Sequence, residues 1–311
     1  MRLEGIHHIT AITGDAPANV EFYAGVLGLR LVKKTVNQDD PGVYHLFYAD
    51  EGGSPGADLT FFEYPGAVPG RAGDGMVHTI VSRVGGADSL DFWERRLADH
   101  GPGAERLGSG SLRFEDPEGL AHELVVADVP DAPLRAQAPD IPAEHALQGF
   151  DAVRAYSSEP AASEALLRDV LGFTGGDGGG WEVRGSRRGG LYSYDEPPAA
   201  GGVQGAGSVH HVAFAIELGE QDAWHERLRG AGVRATHVID RFYFRSIYFR
   251  EPSGVLFELA TMGPGFAADE DPDHLGERLS LPPFLEARRA EIEPRLTPLP
   301  APRARSGAAQ G

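Results

Sequence analysis

The 311-residue chain has no cysteine, which excludes disulfides, Cys-ligated zinc and a thiol nucleophile. Any metal must then be held by His, Asp, Glu or backbone oxygen. No stretch approaches the roughly 20 apolar residues needed to span a bilayer. The N-terminus "MRLEGIHHIT" enters a strand-like pattern directly, without an apolar leader segment. A cytoplasmic protein without a membrane partner is expected. Positive charge is also scarce, with 28 Lys and Arg against 46 Asp and Glu and a formal net charge of −18. That field repels phosphate backbones and anionic lipid, and the arginines are dispersed, so no nucleic-acid partner is expected. What the chain does have is core material, at 41% hydrophobic residues, and a length that suits two domains.

One pattern recurs four times. "HHITAIT" alternates like a half-buried strand, and "GDAPANVEFYAGVLGLRL" follows with helical spacing, Asp15 as N-cap and Gly28 as stop. Two more strand-like runs, "VYHLFYAD" and "ADLTFFEYP", flank the Gly/Pro-rich "EGGSPG". Further copies open at "MVHTIVSRV", "GFDAVRAYS" and "SVHHVAFAI". The second and fourth end alike, in "LRFEDPEGLAHELV" and "IYFREPSGVLFELA", each a hairpin closed by an acidic-Pro-x-Gly turn with a Glu in its last strand.

Four βαβββ-like units of roughly 60–70 residues make a duplicated duplication, the kind of internal repeat that decides a fold. The expected class is α+β, with two modules in an N-terminal domain over 1–128 and two in a C-terminal domain over 148–262. The Pro/Ala-rich stretch 129–147 reads as their linker. Beyond 262 lies an extension, 263–311, with one helix expected near Pro283 to Leu296 and disorder expected in its last part, "TPLPAPRARSGAAQG".

Chemistry centres on the histidines and two glutamates. Glu258 lies in "GVLFELA", where an isolated buried carboxylate would cost several kcal/mol unless paired or metal-bound. The bland reading is a Glu at a sheet edge reaching solvent or an Arg. In a regular strand successive residues face opposite ways, so only one of His7 and His8, and one of His210 and His211, can enter a given cleft. A lone strand histidine is ordinarily just hydrogen-bonded. Two pairs at equivalent repeat positions plus a strand Glu fit another role, the two-His-one-carboxylate set of non-haem Fe(II). A rival set is His8, His78 and Glu123, since His78 matches His8 and His211 in the repeat and Glu123 matches Glu258. Module three offers only Asp151 at the histidine position. The pattern alone leaves both sets open.

The βαβββ units with these His and Glu positions resemble the vicinal oxygen chelate superfamily. The stretches "HHIT", "YHLFYAD", "GSPGADLTFF", "EHALQGF", "VHHVAFA", "SIYFREPSGVLFELAT" and "GFAADED" resemble its hydroquinone-type ring-cleaving dioxygenases over nearly the whole chain. The resemblance implies two tandem domains with curved mixed sheets and metal ligands His8, His211 and Glu258 from modules one and four. His78 and Glu123 then become relics of the duplication. It also implies substrate-side roles for His7, Thr10, His210, Arg241 and Tyr248. Tyr248 and His210 are acid/base candidates and Arg241 an oxyanion stabiliser. Arg241 and Tyr248 are an odd number of positions apart, so Arg241 must lie in a loop or a bulge must intervene. His45 and Tyr44 are further substrate-contact candidates, equally suited to the core.

The expected activity is an Fe(II)-dependent, extradiol-type dioxygenase, with Mn(II) compatible with the same ligands. Its substrates would be O2 and a small hydroquinone-like or catechol-like aromatic, as in aromatic-compound degradation. The alternatives are a glyoxalase-like metal-dependent isomerase or lyase, and a non-catalytic binding protein of the same fold. A homo-oligomer stays open.

Overall fold

The computed structural model describes residues 1–175 and 180–300. Each module runs strand, helical segment, three strands. Module one holds β1 (Ile6–Thr13), β2 (Arg30–Val36), β3 (Tyr44–Ala49) and β4 (Asp58–Glu63). Module two holds β5 (Val77–Val84), β6 (Glu105–Leu107), β7 (Ser111–Glu115) and β8 (Ala121–Val126). Module three holds β9 (Phe150–Tyr156), β10 (Thr174–Gly175), β11 (Gly180–Arg184) and β12 (Gly189–Asp195). Module four holds β13 (Val209–Ile216), β14 (Ile239–Asp240), β15 (Arg245–Arg250) and β16 (Leu256–Thr261).

Local chemistry sets the boundaries. The Asp15 side chain accepts from the Ala18 N–H at 3.0 Å and caps the first helix, which ends at Gly28 with φ +75°, a conformation that favours glycine. In the acidic-Pro-x-Gly hairpins each acid caps its own turn. Asp116 accepts from the N–H groups of Glu118 and Leu120 at 2.9 and 2.8 Å. Glu251 accepts from those of Ser253 and Val255 at 2.9 and 3.2 Å. Helices Ala87–His100 and Gln221–Gly230 bury Trp93 and Trp224 completely, packing on β7 and β8 and on β15 and β16.

The modules pair across the chain rather than along it. One mixed eight-stranded sheet has the order β14-β15-β16-β13-β1-β4-β3-β2, joining modules four and one. The other has the order β10-β11-β12-β9-β5-β8-β7-β6, joining three and two. In each, an antiparallel central pair, β1/β13 or β5/β9, is flanked by parallel pairs and interrupted by bulges that curve the sheet.

The extension crosses the module-one edge. Leu279 bridges Lys34 of β2, and Phe266 packs on Phe47 and Tyr243 at 5.0 and 5.6 Å. The fully buried Lys33 ammonium donates to the Phe266 carbonyl at 2.9 Å, to Asp269 at 2.7 Å and to Glu270. The single helix expected over 283–296 is instead three short turns, Pro283–Glu286, Arg289–Ile292 and Glu293–Arg295. Pro294 brings no N–H to continue a helical ladder. The disorder expected at the end of the chain falls largely on 301–311, outside the described residues. Among the described residues no helix is long and apolar enough to cross a membrane.

Candidate metal centre

The two histidine pairs meet at the β1/β13 seam, and that seam is not regular. Three residue steps of β1, Ile6 to Ile9, span two of β13, Phe214 to Val212. One step of β1, Thr10 to Ala11, spans two of β13, His211 to Val209. A bulge therefore falls on each pair. The alternation expected of a regular strand is broken there, and His7 and His210 reach their neighbours' rings instead of facing away.

His8, His211 and Glu258 converge. The two Nε2 atoms are 3.2 Å apart, and Glu258 Oε2 lies 3.1 Å from that of His8 and 2.9 Å from that of His211. All three residues are buried. Ligands at about 2.1 Å from one centre stand ~3.0 Å apart at right angles and ~3.4 Å apart in a tetrahedron. The observed spacing fits one face of an octahedron, the two-His-one-carboxylate arrangement that leaves positions open. Neither Glu258 oxygen has a hydrogen-bond partner among the described residues, and its Oε2 faces the two imidazoles. Burial pushes its carboxyl up, but His8 and His211 outweigh burial and hold it well below the usual range. A fully buried carboxylate so placed calls for a cation, and the donor set fits a divalent metal.

The preceding histidines set the tautomers. With Nε2 of each ligand directed to the common point, its proton sits on Nδ1. His8 Nδ1 lies 2.9 Å from His7 Nδ1, and His211 Nδ1 lies 2.8 Å from His210 Nδ1. His7 and His210 thus accept at Nδ1 and carry their own proton on Nε2. His7 Nε2 donates it to the Thr261 carbonyl at 3.2 Å. Burial holds His7 down to about 3 and His210 to about 4, so both rings are neutral near pH 7.

The remaining candidates surround this point. Thr10 Oγ1 is 3.0 Å from His211 Nε2 and accepts from Thr60 Oγ1 at 2.8 Å, which is bonded in turn to His45 Nε2 at 2.9 Å. Tyr248 pairs with Glu258 across β15/β16. Burial and Glu258 push its phenol well up. Arg241 lies in the turn after β14, as its spacing from Tyr248 requires, with its guanidinium 5.6 Å from the Tyr248 ring and bonded to Asp39 at 2.9 Å.

A cavity of about 40 Å³ is lined by His8, His211, His45, Arg241, Phe244 and Tyr248. A wider cleft of about 260 Å³ reaches His210 and His211 past Met76 and Arg250. Tyr44 is buried away from both. Thr60 and Asp58 carried no signal in the sequence. They come to the site only through ladder register, opposite Thr10 and His8.

The rival set does not assemble. His78 and Glu123 belong to the other sheet from His8. Glu123 does stand where Glu258 stands. It faces Val81, two residues past Thr79, as Glu258 faces Ala213, two past His211. His78 is one residue out of place, at the level of His210, and Thr79 holds the ligand position. His78 bonds Asp195 at 2.9 Å and stacks on Tyr156 at 3.9 Å. Glu123 accepts from Arg154 at 3.3 Å, and Asp151 accepts from Arg83 at 2.8 Å.

The chain belongs to the Glyoxalase/Bleomycin resistance protein/Dioxygenase superfamily, whose family model matches residues 5–124 and 149–259. That membership implies a metal cofactor. The chain is 40% identical over 317 residues to the "Putative ring-cleaving dioxygenase MhqA" of Bacillus subtilis (strain 168), covering 96% of this chain and all of that protein. It is 34% identical over 310 residues to the "Chlorohydroquinone/hydroquinone 1,2-dioxygenase" of Sphingobium indicum, covering 94% and 95%. A crystal structure of a "putative dioxygenase from Bacillus subtilis subsp. subtilis str. 168" superposes with a TM-score of 0.88 at 38% identity, over 96% of this chain and 98% of that one.

Proposed function

We propose that the protein is a ring-cleaving dioxygenase that uses ferrous iron held by His8, His211 and Glu258 to open a hydroquinone-like or catechol-like ring with O2. The dioxygenase class rests on the full-length relatives. The observation that carries the iron assignment is the buried triangle of donors, spaced as one octahedral face. Mn(II) suits the same donors. Bound there, the ion would favour the ionised form of a ring hydroxyl and offer O2 an adjacent position.

The protein's own groups supply the rest. Tyr248, its phenol held protonated, donates a hydrogen bond toward the ring oxygens. His210, neutral and committed at Nδ1, donates a hydrogen bond from Nε2 toward the site. Arg241 places a fixed positive charge beside Tyr248, where oxyanion character would develop. With His211 Nε2 turned to the ion, the Thr10 hydroxyl is free to donate to a ligand in the site. His7 lends its Nδ1 to His8.

The test is metal content and oxygen uptake after anaerobic Fe(II) loading, with hydroquinone as substrate. One O2 consumed per ring opened supports the reading. Full iron binding with no uptake on hydroquinones or catechols would sink it and favour the isomerase alternative.

A further inference from the structure

Among the buried carboxyl groups of the described residues, two have neither oxygen hydrogen-bonded: Glu258 and Asp58. The other deeply buried acids have partners. Glu251 takes bonds from Ser163, Tyr194 and two backbone N–H groups. Asp131 takes them from Arg83 and Arg184. Asp58 is 1% exposed. Its carboxyl oxygen and ring nitrogens of His7 and His8 lie within 4.8 Å of one another. Burial pushes its carboxyl up to about 8, the penalty for ionising such a group without a partner, so its place needs a reason.

Register points to that reason. In the parallel β1/β4 ladder Asp58 stands opposite His8. The corresponding neighbour is Ala121 opposite Thr79 in module two and Leu191 opposite Ala152 in module three. In module four the ladder has Val212 opposite Phe257, which sets Leu256 beside His211. Three modules fill the position with an apolar residue. The acid occurs in the one module where the neighbour is His8, and on the same face as Thr60 and Thr10.

We propose that Asp58 is a positioning residue of the metal centre, a second carboxylate that does not ligate but offsets the charge of the ion held by His8. This rests on the His8–His211–Glu258 reading. Two imidazoles and one carboxylate leave a divalent ion with an excess positive charge in a buried site, and Asp58 supplies the balancing negative charge from beside His8. Outer partners of this kind typically change metal affinity about 10–100-fold.

The experiment compares wild type, Asp58→Asn and Glu258→Gln by chelator competition for Fe(II) and Mn(II), by metal stoichiometry, and by thermal unfolding of the metal-free proteins. Asp58→Asn is expected to keep one metal site, bind it about 10–100-fold more weakly, and unfold in the metal-free state no earlier than wild type. Unchanged affinity would overturn the proposal. So would a weaker affinity accompanied by a less stable metal-free protein, which marks a structural role. Two ions in wild type and one in Asp58→Asn would overturn it in favour of a second ion on His7, His8 and Asp58. Wild-type metal binding by Glu258→Gln would instead remove the metal-centre reading beneath it.

Discussion

The two sheets share one architecture and solve the same electrostatic problem differently. Each places a Glu in its last parallel strand, two ladder steps along from the residue pair at the central seam. In the module one/four sheet, Glu258 is fully buried and faces His8 and His211. In the module two/three sheet, Glu123 is partly exposed and faces Arg154. Arg154 pairs with Thr79 across β5/β9 as Thr10 pairs with His211 across β1/β13. One sheet thus carries its cation as a side chain, further held by Asp195 at 2.8 and 2.9 Å. The other presents donors suited to one from solution. Duplication supplied two equivalent concave faces, and the identity of a few facing residues decides which can bind a metal.

The comparison breaks most completely at Glu258. Glu258→Ala should lose bound metal and bring oxygen uptake to background, while the fold persists by circular dichroism. If metal is retained, the buried carboxylate is not a ligand.

The next largest effect concerns the extension, which clamps the edge of the module one/four sheet. Lys33→Met leaves Asp269 and Glu270 without their buried cation and should destabilise the protein by about 3–5 kcal/mol. Chemical denaturation measures it. A change under about 1 kcal/mol would mean that the clamp relaxes into water.

On the other sheet, the Arg83 and Arg184 guanidiniums outweigh burial and hold Asp131 down to about 2. A depressed carboxyl stabilises above its unfolded pKa near 4 and loses that contribution as pH falls toward 2. Asp131→Asn should therefore cost about 2 kcal/mol at neutral pH. The gap in thermal midpoint from wild type should close between about pH 4 and pH 2. A gap independent of pH would assign the loss to packing.

The smallest effect is expected at Glu123. Glu123→Ala should leave metal content and oxygen uptake unchanged and shift stability by less than about 1 kcal/mol, since its partner is substantially exposed. Loss of metal there would reverse the assignment of the two sheets.

Much of this was legible in the chain. The four modules, the acid-capped turns and the paired histidines all follow from local pattern, because caps, turns and alternation act over a few residues. The off-by-one placement of His78 was not legible. Counting residues from strand starts assumes regular strands, and the bulges sit on the residues being counted. Asp58 was silent for a related reason. Its neighbour is set by the register of a parallel ladder, and nothing in "GADLTFF" says which face of which strand it meets. Nor does a repeat state which copies pair. Similarity between modules one and two is as good a sequence argument for one sheet as similarity between one and four, and the long-range seam decides it.

That seam also sets a timetable. The partner of β1, β13, lies about 200 residues later and leaves the ribosome on the order of 10–40 s after it at ordinary synthesis rates. Until then β1 keeps one edge unpaired, and His8 has neither His211 nor Glu258 beside it. The nascent chain must keep this apolar edge from other strands while it waits. On the proposed ligand set, metal capture is accordingly a late event, open only to a chain whose fourth module has already been made.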